Sequence, residues 1–383
     1  MVIDMKRILC LMTLIPLLLL ASCGESTAVS YDSDPDFYLF SGTDCCSTDE
    51  VFYFEVKDKA QIRVYDKSSG ASAPLCSKPE CSHGSKQCNA YYTGNDFCLY
   101  GGELYWVDDR IGGTSLEVSA MSKDGTNRRT VMTVEDELYK TNWASGSPSN
   151  PAYIFHRGSL YFGGTVGTVS DGTPIKTACL MAYPLDSGKS GKLIYSAENA
   201  RDFNFHAKGD KLYICAEFDD RLEVMEYWAS DGTLKTIYSG SMPFEGLKFR
   251  AFDTGIYFAD SSERAEVYRL DFDGNMEKVF DFNDGEDRSY YLYGFCDDRI
   301  IGGCPDGANF YIKLKELSGK EVVSSELINQ DIESGEPLFY FPIGSDEDCL
   351  YVRSSVWAES DKGEYFYSVN LKNGNAKLLE NVR

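Results

Sequence analysis

Histidine is scarce in this 383-residue chain: only His83, His156 and His206 are present. Acid–base chemistry through imidazole therefore has three possible carriers and no more. Basic charge is also short, with 37 Lys and Arg against 60 Asp and Glu and a formal charge of -23. That balance excludes a nucleic-acid partner and attraction to anionic lipid, both of which depend on basic surface. No apolar run after residue 21 is long enough to cross a bilayer as a helix. No stretch carries the period of a long amphipathic helix. A Gly-x-Ser-x-Gly elbow, a His-Glu-x-x-His pair and a phosphate-cradling glycine loop are all missing. Their absence removes the commonest local signatures of catalysis without deciding against an enzyme. No Pro/Ser-rich linker divides the chain, which points to one domain.

What is present begins with the first residues. Lys6 and Arg7 precede an uncharged apolar run from Ile8 to Ala21. The run is too short for a mature spanning helix and has the layout of a secretory signal, over residues 1–22. Leu20-Ala21-Ser22-Cys23 resembles the lipobox of bacterial lipoproteins. The resemblance implies cleavage before Cys23 and acylation of that cysteine with chains such as palmitate. The alternative is an ordinary signal peptide with an incidental cysteine. Acylation predicts a domain anchored at the extracytoplasmic face of the cell membrane with no spanning helix. Residues 23–36 are polar and read as a flexible tether.

From residue 37 to 383 one pattern repeats. A polar or glycine turn feeds a short apolar–aromatic strand, as in Gly158-Ser159-Leu160-Tyr161-Phe162. Other copies are at Val51-Phe52-Tyr53, Leu104-Tyr105-Trp106, Leu212-Tyr213-Ile214, Ile256-Tyr257-Phe258 and Leu350-Tyr351-Val352. Ile300-Ile301-Gly302-Gly303 is a degenerate copy. An aromatic-rich strand precedes each copy, beginning with Phe37-Tyr38-Leu39-Phe40. A hairpin with a turn glycine comes after it, at Gly70, Gly125, Gly188, Gly232, Gly274, Gly319 and Gly374. Such turns favour glycine because they need positive φ. The turn glycines are 55, 63, 44, 42, 45 and 55 residues apart. Four short strands per unit at this spacing predict an all-β chain, a single β-propeller of seven four-stranded blades, with six as the alternative. A lone blade has two apolar faces that only radial stacking buries. Both terminal units look complete, so the way the ring closes is left open.

Leu104-Tyr105-Trp106-Val107-Asp108 resembles the YWTD-type propeller repeat, and the repeats together look TolB-like. The resemblance implies the architecture and no binding residues.

Between the first two units lies Cys76-x4-Cys81-x-His83-x4-Cys88, inside an insertion over residues 76–90. Three thiols and one imidazole make a full tetrahedral donor set for Zn or Fe. The spacing is not that of a standard zinc finger. Disulfides are the alternative, since exported thiols often oxidise and Cys45, Cys46 and Cys98 are nearby in sequence. A redox role is a third. The insertion, lipobox and repeats together resemble lipoprotein propellers of anaerobic Gram-positive bacteria, a group with no established activity to transfer.

His156 and His206 close the first strands of consecutive units and are candidates for one mouth of the central channel, or else simply face solvent. The aspartate pairs Asp108-Asp109, Asp219-Asp220, Asp297-Asp298 and Asp346 with Asp348 fall at predicted turns. Asp281 to Asp287 is acidic but lacks EF-hand spacing. These residues leave three readings open. The first is an anchored binding or scaffold propeller for a glycan, peptide or envelope protein. The second is an extracytoplasmic carbohydrate lyase or hydrolase, which needs Asp, Glu, Arg or His converging at one mouth. The third is a metal or redox protein centred on Cys76, Cys81, His83 and Cys88.

Overall fold

The computed structural model describes residues 45–382 apart from 110–112, 171–172, 187–189, 297, 308, 329–337 and 357–363. The chain divides into two compact units, Met1–Ser33 and Asp34–Arg383. Every described residue belongs to the second unit. Cys23, the signal segment, the tether, Gly188 and Asp297 lie outside the described residues.

Seven antiparallel sheets, each of four consecutive strands in meander order, form a seven-bladed β-propeller. Blade one is Cys45–Ser47, Val51–Val56, Gln61–Asp66 and Ser72–Pro74. Blade two is Asn95–Tyr100, Glu103–Asp109, Leu116–Ser122 and Arg129–Val134. Blades three to seven begin with the strands Ser147–His156, Asp202–Lys208, Lys248–Phe252, Tyr291–Cys296 and Leu338–Ser345. First strands of neighbouring blades approach one another from blade three round through blades seven and one to blade two.

The repeated tyrosine marks a fixed place in each blade. Tyr53, Tyr105, Tyr161, Tyr213, Tyr257 and Tyr351 stand opposite Cys46, Cys98, Ile154, His206, Arg250 and Gly344 of the first strands. Blade six has the buried Ile301 in the tyrosine's place, opposite Gly294, and two glycines follow it. A Cβ on Gly302 would lie 2.5 Å from Phe282, and one on Gly303 would lie 2.4 Å from Tyr293. Neighbouring aromatic rings fill the space that a side chain takes in the other blades.

The core sits in the seams between blades, as the two-faced blades require. Phe203 and Phe205 of blade four pack on Ile154, Tyr161 and Leu180 of blade three. Phe310 and Ile312 of blade six pack on Tyr340, Leu350 and Val352 of blade seven. The turn glycines contribute to the same seams. Gly374 has φ +72, and a Cβ there would lie 2.2 Å from the Ser324 carbonyl oxygen of the preceding blade. Gly274 stands in the same relation to the Ile237 oxygen of blade four. Hairpin geometry and close approach both demand glycine at these positions.

Blade one begins at Cys45–Ser47, paired in register with Phe54, Tyr53 and Phe52. The sequence-based assignment of Phe37–Phe40 to that strand lies outside the described residues, and Cys45–Ser47 holds the position. The site favours small residues, because Cys45 Sγ donates to the Ile343 oxygen at 2.9 Å and a Cβ on Gly344 would lie 2.5 Å from that sulfur. Among the described residues each terminal sheet contains only its own strands, and blades one and seven meet by packing and side chains. Phe52 stacks on Tyr351 at 3.9 Å, and Phe54 meets Phe366 at 4.4 Å.

Candidate metal centre

The chain leaves blade one after Pro74 and reaches blade two at Asn95. The intervening loop has few apolar residues of its own, and those it has enter the seam. Leu75, Cys88, Ala90 and Tyr92 are buried against Tyr53, Ile62, Phe97 and Trp106. Backbone bonds fix its two ends. Leu75 N donates to the Ile62 oxygen at 2.9 Å, Ile62 N to the Ala90 oxygen at 2.9 Å and Tyr92 N to the Ala60 oxygen at 2.8 Å.

Between those ends the four predicted donors converge. The Sγ atoms of Cys76, Cys81 and Cys88 and a ring nitrogen of His83 all lie within 4.8 Å of one another. His83 Nδ1 is 3.4 Å from Cys88 Sγ. Two short turns set this up: Cys81 N donates to the Lys78 oxygen at 3.2 Å, and Cys88 N to the Ser85 oxygen at 2.9 Å. His83 takes φ 58, a left-handed conformation unusual for a residue with a Cβ. Cys88 is buried, and the other three are half-buried.

Backbone amides point at the sulfurs. Burial raises the Cys76 thiol, but hydrogen bonds from the N–H groups of Lys78 and Asn89 and from the thiols of Cys88 and Cys81 outweigh it, and it falls to about 6. Burial pushes Cys88 the other way, up to about 11, against the N–H of Ala90. One negative charge is thus welcome in the cluster and a second is resisted until a cation balances it.

Two residues outside the motif hold the loop. Gln61 Nε2 donates to the His83 carbonyl at 2.5 Å. Arg128, from the outer hairpin of blade two, donates to the carbonyls of Asn89 (3.2 Å) and Tyr91 and lies 5.1 Å over the Trp106 ring. Asn89 Nδ2 returns a bond to the Gly125 carbonyl at 2.6 Å. Nothing in the spacing of the sequence marks Gln61 or Arg128, because both act from other strands. The loop therefore lies in the seam between blades one and two, against residues of first, second and third strands. The metal-or-redox reading expected it over the channel.

The eleven described cysteines are present as thiols. Cys45 is engaged with blade seven, and the motif cysteines face one another. Cys179, Cys215, Cys296 and Cys304 are buried and behave as small apolar residues.

The other candidates are arranged differently. His156 and His206 are both buried, at 2% and 3% exposure, so the expectation that they face solvent is corrected. Burial, with the charges of Arg250, Lys208 and His156, holds His206 well below the ordinary histidine value and therefore neutral. Asp108 accepts from Trp106 Nε1 at 3.2 Å. Asp219 and Asp220 pair with Arg201 and Arg221 of blade four and its entry. Asp346 and Asp348 pair with Lys67 and Lys372. In the Asp281–Asp287 stretch, Glu286 pairs with Lys315 at 2.8 Å and with Lys313.

No protein-family model and no curated protein matches the chain. Among solved structures, a prolyl endopeptidase is similar at TM-score 0.53 and 12% identity, over 94% of this chain and 52% of that one. Oligopeptidase B from Leishmania major is similar at TM-score 0.51 and 10% identity, with the same coverage of 94% and 52%. TolB from Acinetobacter baumannii is similar at TM-score 0.41 and 14% identity, over 88% and 78%. The chain spans about half the length of the two peptidases it matches. At these identities the similarity to the two peptidases is one of fold alone.

Proposed function

We propose that this chain is a binding or scaffold propeller, held at the extracytoplasmic face of a membrane by acyl chains on Cys23, with a glycan, peptide or envelope protein as ligand. The observation that carries the binding reading is how the candidate catalytic groups are used. His156 and His206 are buried on first strands of the ring. Asp108, Asp219, Asp220, Asp346 and Asp348 are spread over blades two, four and seven, and each is engaged with another side chain. A lyase or hydrolase needs such groups to converge on one accessible point. Loops between strands at the channel mouths are the natural place for a ligand on this architecture.

The test has two arms. The full chain is expressed in a bacterial host fed labelled palmitate, beside Cys23→Ala. Label and membrane fractionation that both vanish in Cys23→Ala support the anchor, and unchanged label in that variant removes it. Detergent-purified chain is then screened on glycan and peptide arrays and against polysaccharides. Saturable binding with no new reducing or unsaturated ends supports a binder. Release of such ends by the chain, on any polysaccharide, replaces it with the enzyme.

A further inference from the structure

We propose that Cys76, Cys81, His83 and Cys88 bind one zinc ion, through three thiolates and the imidazole Nδ1, as a closed structural centre that clamps the seam between blades one and two.

The geometry is close to what a tetrahedral ion requires. With Zn–S of about 2.3 Å and Zn–N of about 2.05 Å, a tetrahedron has edges of about 3.8 Å between sulfurs and about 3.6 Å between sulfur and nitrogen. The His83 Nδ1 to Cys88 Sγ distance is 3.4 Å, and all four donors lie within 4.8 Å of one another. A disulfide accounts for less of what is there. It joins two sulfurs at about 2.05 Å and leaves the third thiol and the imidazole without a role. It also leaves unexplained why His83 adopts φ 58, a conformation that costs about 1 kcal/mol and aims its ring at Cys88.

The surroundings suit thiolates. The N–H groups of Lys78 and Asn89 point at Cys76, and that of Ala90 points at Cys88. Gln61 pins the His83 carbonyl. These are the outer contacts that orient ligands and offset thiolate charge. On binding, the thiols give up their protons to solvent and the cation balances the charge. Zinc is favoured over iron by its place in the affinity order, and it brings no redox chemistry. Four protein donors leave no open position, so the role is structural. The loop joins two blades with few apolar residues of its own, which is where a metal adds most to folding.

The experiment uses the full chain, purified in detergent without air. Elemental analysis is expected to find one zinc per chain, and X-ray absorption at the zinc edge three sulfurs and one nitrogen. Cobalt exchanged into the site should show the intense ligand-field bands and thiolate charge transfer of a tetrahedral centre. His83→Ala is expected to weaken zinc at least about 10-fold. Cys81→Ser should abolish stoichiometric binding, while Cys349→Ser in blade seven leaves it intact. Should a variant fail to fold, the absorption spectrum of the unmutated chain decides. Overturning results are a reduced chain that takes up no zinc, a native disulfide among Cys76, Cys81 and Cys88, iron in place of zinc, or zinc retained after both Cys81→Ser and His83→Ala. None of these outcomes bears on Cys23 or on the ligand of the ring.

Discussion

Lys67 of blade one and Asp346 of blade seven form an ion pair at 2.6 Å across the seam that closes the ring. The same carboxylate oxygen accepts from Ser47 at 3.0 Å and from the Tyr351 hydroxyl at 2.5 Å. The other oxygen accepts from the backbone N–H groups of Asp348 and Cys349, at 2.9 and 2.8 Å. One aspartate therefore caps its own hairpin and holds the first blade to the last, which share no strand among the described residues. Arg63 to Glu380 at 3.2 Å and Lys377 to Tyr65 at 2.9 Å join the same two blades further out.

Asp346 makes stability at this seam depend on pH. Burial raises its pKa, but Lys67, Tyr351 and the Asp348 N–H outweigh burial and hold it below the ordinary carboxylate value. A lowered native pKa means stabilisation that is fully present above the unfolded value of about 3.9 and is lost as pH falls through the native one. Asp346→Asn is expected to cost roughly 2 kcal/mol at neutral pH. The gap should narrow at an acidic pH below the unfolded value of about 3.9, as pH falls toward the lower native one. Urea unfolding of both proteins at the two pH values measures this, and an equal gap at both would remove Asp346 as the pH-sensitive closure.

Two glycines separate clash from backbone strain. Gly374 and Gly285 have nearly the same φ, +72 and +74. A Cβ on Gly374 meets the Ser324 oxygen at 2.2 Å, whereas one on Gly285 meets nothing within 4 Å. Gly285→Ala should cost about 1 kcal/mol, the strain alone. Gly374→Ala should cost roughly 3 kcal/mol or more, because the blade in front must move. Similar losses in denaturant titrations would show that the turn, and not the seam, selects glycine at Gly374.

Glu286 neutralises two buried lysines. Its carboxylate, at 10% exposure, pairs with Lys315 at 6% and Lys313 at 10%. Burial raises its pKa, but the two lysines prevail and hold it below the ordinary glutamate value. Glu286→Gln takes the carboxylate from Lys315 and leaves Lys313 with Glu321 at 3.0 Å, and should cost about 3–5 kcal/mol. Replacing all three residues with Leu and Met should cost less than the single change, since no buried charge is then orphaned. Thermal melts decide, and a triple variant less stable than Glu286→Gln would mean the ions stabilise the fold by themselves.

Gln61 is a positioning residue for the proposed metal centre. Gln61→Ala removes the bond to the His83 carbonyl and should weaken zinc about 10- to 100-fold, while one zinc still binds at saturation. Competition against a chromophoric chelator gives the affinity. An unchanged affinity with lowered thermal stability would show that Gln61 serves the loop alone.

The seven units were legible because their signals are local. Alternating aromatic strands and glycine turns express pairings between segments a few residues apart, which the sequence carries directly. The four donors at Cys76, Cys81, His83 and Cys88 were legible for the same reason: one short loop contains them all. Where local preference and ring position disagreed, ring position prevailed. Phe37–Phe40 has the stronger strand signal, yet the first described strand of blade one is Cys45–Ser47, where blade seven leaves room for a small residue. Gln61 and Arg128 left no mark, because their roles are bonds to a loop reached from other strands.

By itself, then, the sequence determined the class of fold, pointed to seven blades over six, and put four candidate metal donors in one short loop. Each of these rests on residues near one another in the chain. The tertiary structure decided how the ring closes, that the turn glycines touch the blade in front, that His156 and His206 are buried, and that three thiols and an imidazole meet at one point. Those facts depend on which faces come together when the blades close. Contacts between residues hundreds of positions apart, such as Lys67 and Asp346, acquire their distance only then.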